Sequence, residues 1–238
     1  MHILRSAFSI DCGEALTIAG RRGFGLLTAH DGERPIGSHL PFTIQHGAAG
    51  NSVRLHVTRA NPLAELADGS RMFLLAVNGL DAYISNDWYD SADQVSTWMY
   101  EAVHLTGPAR RLPLTANRAH GDALLQVCEQ RLAPKPPWLL DAMEPGKRQA
   151  MLNAIIGIEL DIVSVEGQRK FNQHKPDADH IRVVAALEQS GEPTNRTLAA
   201  KLRELRPHLD YGNGLSPAPA TPAPPPPPPQ APLPGPAP

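Results

Sequence analysis

The chain has 238 residues, a formal net charge of −2 and a hydrophobic fraction of 42%. It is long enough for one large domain or two small ones, and its charge balance excludes the global basicity of a protein that coats nucleic acid or an anionic membrane. Cys12 and Cys128 lie far apart and in no metal-ligand spacing, which excludes a disulfide framework and points to reduced thiols in a cytoplasmic protein.

No stretch approaches the length of a membrane span, and the N-terminus lacks an apolar leader with a cleavage signature. Ser9 or Asp11 caps a short helix that runs to about Gly20, with Glu14 as capping-box partner of Asp11. Phe24–Ala29 reads as an apolar strand and Pro35–Gln45 as the returning one, broken at Pro41, which implies an edge position or a bulge. Ser52–Thr58 alternates as a strand, and Pro62–Ala67 is a short helix closed by Asp68-Gly69. Arg71–Val77 and Asp81–Ser85 flank Asn78-Gly79, a hairpin signal. Val95–Thr106 alternates until Gly107-Pro108 interrupts it, and Arg110–Leu114 takes the strand further.

Helical periodicity follows. Ala119–Leu132 carries Leu124, Leu125, Cys128 and Leu132 on one stripe, which assigns Cys128 to packing. Pro145–Ile156 is helical, Gly157–Val165 is an alternating strand, and Glu166-Gly167 turns it into Arg169–Gln173. Two helices span Asp177–Ser190 and Asn195–Leu205. Leu215–Pro238 holds more than half of the 25 prolines and reads as an extended polyproline tail. Strands first and helices later give an α+β order, and many short strands with tight turns suggest a small antiparallel barrel.

The segment Leu55–Pro62, L-H-V-T-R-A-N-P, reads as a strand ending in a cation that opens a helix. Asn61 is a good N-cap and Pro62 a good first helical residue. Free first-turn amides, with Arg59 beside them, would seat an anion. Polar–aromatic groups recur at Ser38–Phe42, Asp81–Ser85 with Trp88-Tyr89, Thr97–Tyr100 and Lys170–Gln173. Such groups suit a flat amphipathic ligand with an anionic tail. His174, Asp177, Asp179 and His180 match no tetrahedral metal spacing; Asp177 reads as a helix cap and no metal is expected. His56 and His104 read as hydrogen-bonded structural histidines. Gly20–Gly25 is not a dinucleotide fingerprint. The helical pair near the C-terminus has a helix–turn–helix outline with Arg196, Lys201, Arg203 and Arg206, although such pairs usually serve as packing hairpins.

In order, H-L-P-F, H-V-x-R-A-N-P, D-A-Y-x-S-x-x-W-Y, T-W-x-Y, I-G-I-E and E-G-x-x-K-x-x-Q-x-x-P resemble the PaiB family of FMN-binding negative transcriptional regulators, from the N-terminus to about Leu205. The resemblance implies a split β-barrel of the flavin reductase and pyridoxamine-phosphate-oxidase type over residues 1–206, a helical hairpin at its end, and a separate tail over 207–238. It implies a homodimer with non-covalent FMN at the subunit interface. Carried over by position, the cofactor residues are His39, Arg59, Asn61, Ser85, Thr97, Trp98, Tyr100, Lys170 and Gln173. Arg59 and Lys170 would be the phosphate cations, Ser85 and Thr97 the hydroxyls, and Trp98 and Tyr100 the ring walls. DNA is a partner by this resemblance only, and an FMN-dependent oxidoreductase using NAD(P)H is the alternative. The chain departs from the family pattern at Met99, where Asn is usual, and at Asn172, His174 and Lys175, where the pattern has Ser, Asn and Arg. The changes at Met99 and Asn172 would remove possible ring or phosphate partners.

Overall fold

The computed structural model describes residues 1–48 and 50–212, so the proline-rich segment Leu215–Pro238 lies outside the described residues. Eight strands form one antiparallel sheet: β1 (Ser9–Ile10), β2 (Phe24–His30), β3 (Pro35–Gly47), β4 (Gly50–Thr58), β5 (Asp68–Ile84), β6 (Thr97–Arg111), β7 (Ile155–Asp161) and β8 (Ser164–Lys170). Six helices accompany them: α1 (Cys12–Arg22), α2 (Pro62–Leu66), α3 (Asn117–Gln130), α4 (Pro145–Asn153), α5 (Asp177–Gln189) and α6 (Pro193–Leu205). Six strands close a ring in the order β6, β5, β2, β3, β4, β7, with β7 pairing back onto β6. β8 is added to β6, and β1 to β8.

The period-2 pattern fills this barrel. Leu27, Leu55, Phe73, Leu75, Leu105 and Ile158 point inward and are fully buried. A second core forms where β5, β6 and β8 run past the barrel: Ala82, Ile84, Met99 and Phe171 meet Val183, Val184 and Leu187 of α5 and Leu198 and Leu202 of α6.

The helix ends obey local chemistry. Asp11 Oδ1 accepts from the Glu14 amide at 2.9 Å. The reciprocal half of a capping box is absent, because the Glu14 carboxylate turns to Arg169 at 2.7 Å instead. Gly23 ends α1 at φ 60°, and its amide returns to the Ala19 carbonyl.

Four expected breaks are not breaks. Asn78-Gly79 does not turn a hairpin: neither residue takes the positive φ that such a turn needs, and β5 runs through as one strand. Both halves pair with β6, and the pair carries one extra residue between Asn78 and Asp81, which makes a bulge. Gly107-Pro108 lies inside β6, where that strand leaves β8 after Thr106 and meets β7 at Ala109. A Cβ on Gly107 would sit 1.7 Å from the Asp161 carbonyl oxygen, so glycine permits the crossing. Pro41 sits at a similar exchange in the unbroken β3, which pairs with β2 up to Pro41 and with β4 from Phe42. Glu166-Gly167 is the middle of β8; Ile10 of β1 lies over Gly167, 2.4 Å from where a Cβ would be.

Conversely, Gly157–Val165 is not one strand. The chain bends at Ile162 and Val163, whose amides go to the Asn51 and Thr106 carbonyls. Helix α4 also stops short of Ile155, which begins β7. Cys128 is exposed rather than packed.

Candidate functional site

Antiparallel partners share a face of a sheet. The register therefore aligns His39, Leu26, Ala76, His104 and Glu166 across the outer surface of β3, β2, β5, β6 and β8. Following β6 from His104 by even steps leads to Tyr100 and Trp98 on the same surface. There Trp98 meets Tyr83 of β5 edge to face, with ring centroids 6.1 Å apart. Both rings are about half open to solvent, at 54% and 50% exposure. Their neighbours Ala82, Ile84 and Met99 point the other way, into the core beneath α5 and α6.

Lys170 lies opposite Tyr100 in the ladder, and its Nζ donates to Thr97 Oγ1 at 2.6 Å. Among the described residues no carboxylate stands within ion-pair distance of it, although Arg169 beside it is paired with Glu101 and Glu14. Ser85 follows Ile84, which pairs with Thr97. Thus Ser85, Thr97, Trp98, Tyr100 and Lys170 come together at one end of the sheet, with Trp98 and Tyr100 on its outer face. Gln173 is close in sequence but committed to the turn: its Oε1 accepts from the Phe171 amide at 2.9 Å and its Nε2 donates to the Arg169 carbonyl at 2.5 Å.

The other candidates form a second group. Asn61 caps α2, accepting from the Leu63 amide at 3.0 Å, and its Nδ2 donates to Ser38 Oγ at 2.9 Å. The Ala64 amide is bonded to the Asn61 carbonyl, and Pro62 has no N–H. The free amides expected for an anion seat are therefore taken within this five-residue helix. Arg59 donates through Nη2 to the Asn153 carbonyl at 2.5 Å, at the end of α4. His39 stacks on Phe24 at 6.3 Å on the outer face, whereas Ser38 shares the inward side of β3 with Phe42. The row of His39 lies six residues of β6 from Trp98, roughly 20 Å at the rise of a strand. Within one protomer His39 therefore lies on a different row of the sheet from Trp98 and Tyr100.

Tyr83 is the aromatic partner missing from the carried-over cofactor residues, although the D-A-Y-x-S motif contains it and its alternation with Ala82 and Ile84 already places it on the open side. Of the departures, Met99 is 1% exposed and lies in the helical core, so it takes nothing from the open face. Asn172 adopts φ 57° after β8, and its Nδ2 donates to Tyr89 Oη at 2.7 Å. It therefore ties the turn to the 86–94 loop.

Most of the remaining polar residues have structural partners, but among the described residues neither His104, expected to be hydrogen-bonded, nor Arg196 makes a side-chain hydrogen bond or ion pair. Asp179 Oδ1 accepts from the Asp90 and Ser91 amides at 2.9 and 2.8 Å. His180 Nε2 lies 3.2 Å from the Leu202 carbonyl and 3.1 Å from Tyr211 Oη. Asp177 is the first residue of α5 and makes no side-chain cap; it pairs with Arg206. Among the described residues no three His, Cys, Asp or Glu groups approach closely enough to hold a metal. His56 Nδ1 lies 3.0 Å from His120 Nε2, and burial, with the charges of His56 and Arg54, brings the His120 pKa down to about 4. On the α5–α6 pair, Arg203 pairs with Glu188, Lys201 with Glu204 and Arg206 with Asp177. The apolar faces of the two helices pack on each other and on β5. No described helix is long and apolar enough to cross a membrane.

A family model described as "Putative FMN-binding domain" matches residues 1–164. The Bacillus subtilis protein named protease synthase and sporulation protein PAI 2 is 25% identical over 181 residues, which is 76% of this chain and 86% of that protein. Among solved structures, the FAD and heme binding protein from Mycobacterium smegmatis is similar with a TM-score of 0.52 and 17% identity, covering 71% of this chain and 76% of that one. The flavocytochrome Anf3 from Azotobacter vinelandii is similar with a TM-score of 0.51 and 16% identity, covering 75% and 78%. These two structures establish the likeness of fold: a flavin-type split barrel.

Proposed function

The chain belongs to this FMN-binding family, and from that membership we propose that two copies of it hold FMN between their outer faces, without a covalent link. FMN is the cofactor that the family assigns. The residues present suit it: an ammonium without a carboxylate partner, a hydroxyl bonded to it, and two half-open rings on one side of the sheet. This juxtaposition carries the reading. Lys170 and Thr97 would hold the phosphate, with Ser85 beside them. Trp98, Tyr83 and Tyr100 would offer ring surface and exclude water. His39, Arg59 and Asn61 stand too far along the barrel to serve the same flavin from the same protomer, so they would act from the partner. Gln173 would act indirectly, by fixing the turn that follows Lys170. When bound, FMN supplies electron-transfer chemistry, and the protein's part is binding and orientation.

By its similarity to PAI 2, the protein would work as a PaiB-type negative regulator of transcription, in a cytoplasm that keeps Cys12 and Cys128 reduced. A second reading, an FMN-dependent oxidoreductase using NAD(P)H, is favoured by one observation. Lys201, Arg203 and Arg206 of the helical pair are already in ion pairs, which leaves little free charge for a phosphate backbone. Titration of apoprotein with FMN tests the shared part; tight, saturable binding is expected, and no binding would contradict it. Reduction of the bound flavin by NAD(P)H supports the oxidoreductase. Sequence-selective, salt-sensitive DNA binding supports the regulator.

A further inference from the structure

The turn that follows β8 gathers more positive charge than one phosphate cation. The short 3-10 turn Ser6–Phe8 lies against this segment, just past Lys170. The Phe8 ring stands edge-on to His174 at 5.6 Å, and Gln173 Nε2 donates to the Ala7 carbonyl at 3.4 Å. That packing brings Arg5 to the same place. Lys175 follows His174; its Nζ donates to Gln94 Oε1 and lies 4.9 Å over the Tyr89 ring. The backbone there is fixed: Asn172 is 3% exposed, holds φ 57° and bonds Tyr89.

Among the described residues none of Arg5, Lys170, His174 and Lys175 has a carboxylate within ion-pair distance, while the neighbouring Arg169, Arg182 and Arg206 are all paired. Partial burial of the imidazole, and then the charges of Arg5, Lys175 and Lys170, hold the His174 pKa below its ordinary value. Beneath the turn, Arg206 holds the Gln173 and Lys175 carbonyls and pairs with Asp177. In a chain of net charge −2, such a group of like charges without counterions calls for an anion.

We propose that Arg5, Lys170, His174 and Lys175 form a proton-dependent seat for a dianionic phosphate ester, the phosphate of FMN, in which the charge of His174 sets the affinity. The proposal rests on the FMN reading above. On this basis the departure at His174 supplies a basic group where the family pattern has Asn, and Lys175 keeps the positive charge of the pattern's Arg. With the seat empty, partial burial and then the charges of three cations hold the His174 pKa below its ordinary value. A bound dianion opposes those charges and raises the imidazole pKa. Binding then takes up a proton, and affinity rises as pH falls through the interval between the free and bound pKa values.

The test is a titration of apoprotein with FMN and with riboflavin at constant ionic strength, at about pH 8 and about pH 6.5, the latter near the ordinary histidine pKa. The parent protein should bind FMN about fivefold more tightly at the lower pH, the gain expected of one added partly exposed cation. This gain is expected even though free phosphate loses charge toward its second pKa of about 6. His174→Asn should lose the gain, His174→Lys should bind FMN tightly at both pH values, and riboflavin should show no pH dependence. An FMN profile unchanged by His174→Asn would overturn the seat while leaving the FMN reading in place. Absence of binding by either flavin at both pH values would overturn both.

Discussion

The side chains that matter most are few, and their partners explain why. Lys170 is held by a hydroxyl rather than by a carboxylate, so it keeps its charge available for a ligand. Lys170→Gln should weaken FMN by about tenfold, the value of one charge-assisted bond, and leave riboflavin nearly unchanged; equal losses for both flavins in a binding titration would refute the phosphate role. The buried histidines govern acid stability instead. Burial, with neighbouring charge, lowers both His120 and His180 to about 4. Between about pH 6.5 and 4 the unfolded chain therefore binds more protons than the folded one, and stability falls as pH drops through that window. Each histidine contributes up to about 3 kcal/mol of this loss. Urea midpoints measured across the window should show a shallower acid slope for His120→Gln than for the parent protein. Identical slopes would mean that the His56–His120 contact does not exclude the proton.

At the scale of strands and helices, local chemistry was legible wherever a residue acts on its own backbone. Asp11 and Asn61 cap the helices expected of them, and the strand starting at Phe24 begins where apolar alternation begins. Readings failed where a residue answers to a distant strand. Gly107 looks like a terminator in one dimension, yet it is small because Asp161, far along the chain, crosses it. Ile162 and Val163 look like strand residues because they are β-branched, yet their amides join two different walls of the barrel. Asn78-Gly79 has hairpin composition, but both flanks pair with the same strand, so the extra residue becomes a bulge. Gly107→Ala follows from this geometry. Its Cβ would meet backbone, which cannot rotate away, so a loss of about 3 kcal/mol or more is expected by thermal or chemical unfolding. Near-parent stability would mean that the β6–β7 crossing is loose.

For the whole molecule, the closed ring of six strands leaves one broad face that no helix among the described residues covers, and most of the motif residues fall on it or at its edges. Motif order pointed to those residues without indicating that they form two groups. That division depends on register and on the length of β6, neither of which a local pattern carries. It also underlies the proposal that a complete flavin site needs two copies of the chain. Native mass spectrometry of the FMN-loaded protein tests this most directly. A species of two chains carrying two FMN molecules, which loses flavin when the chains separate, is expected. A single chain retaining FMN would contradict the proposal.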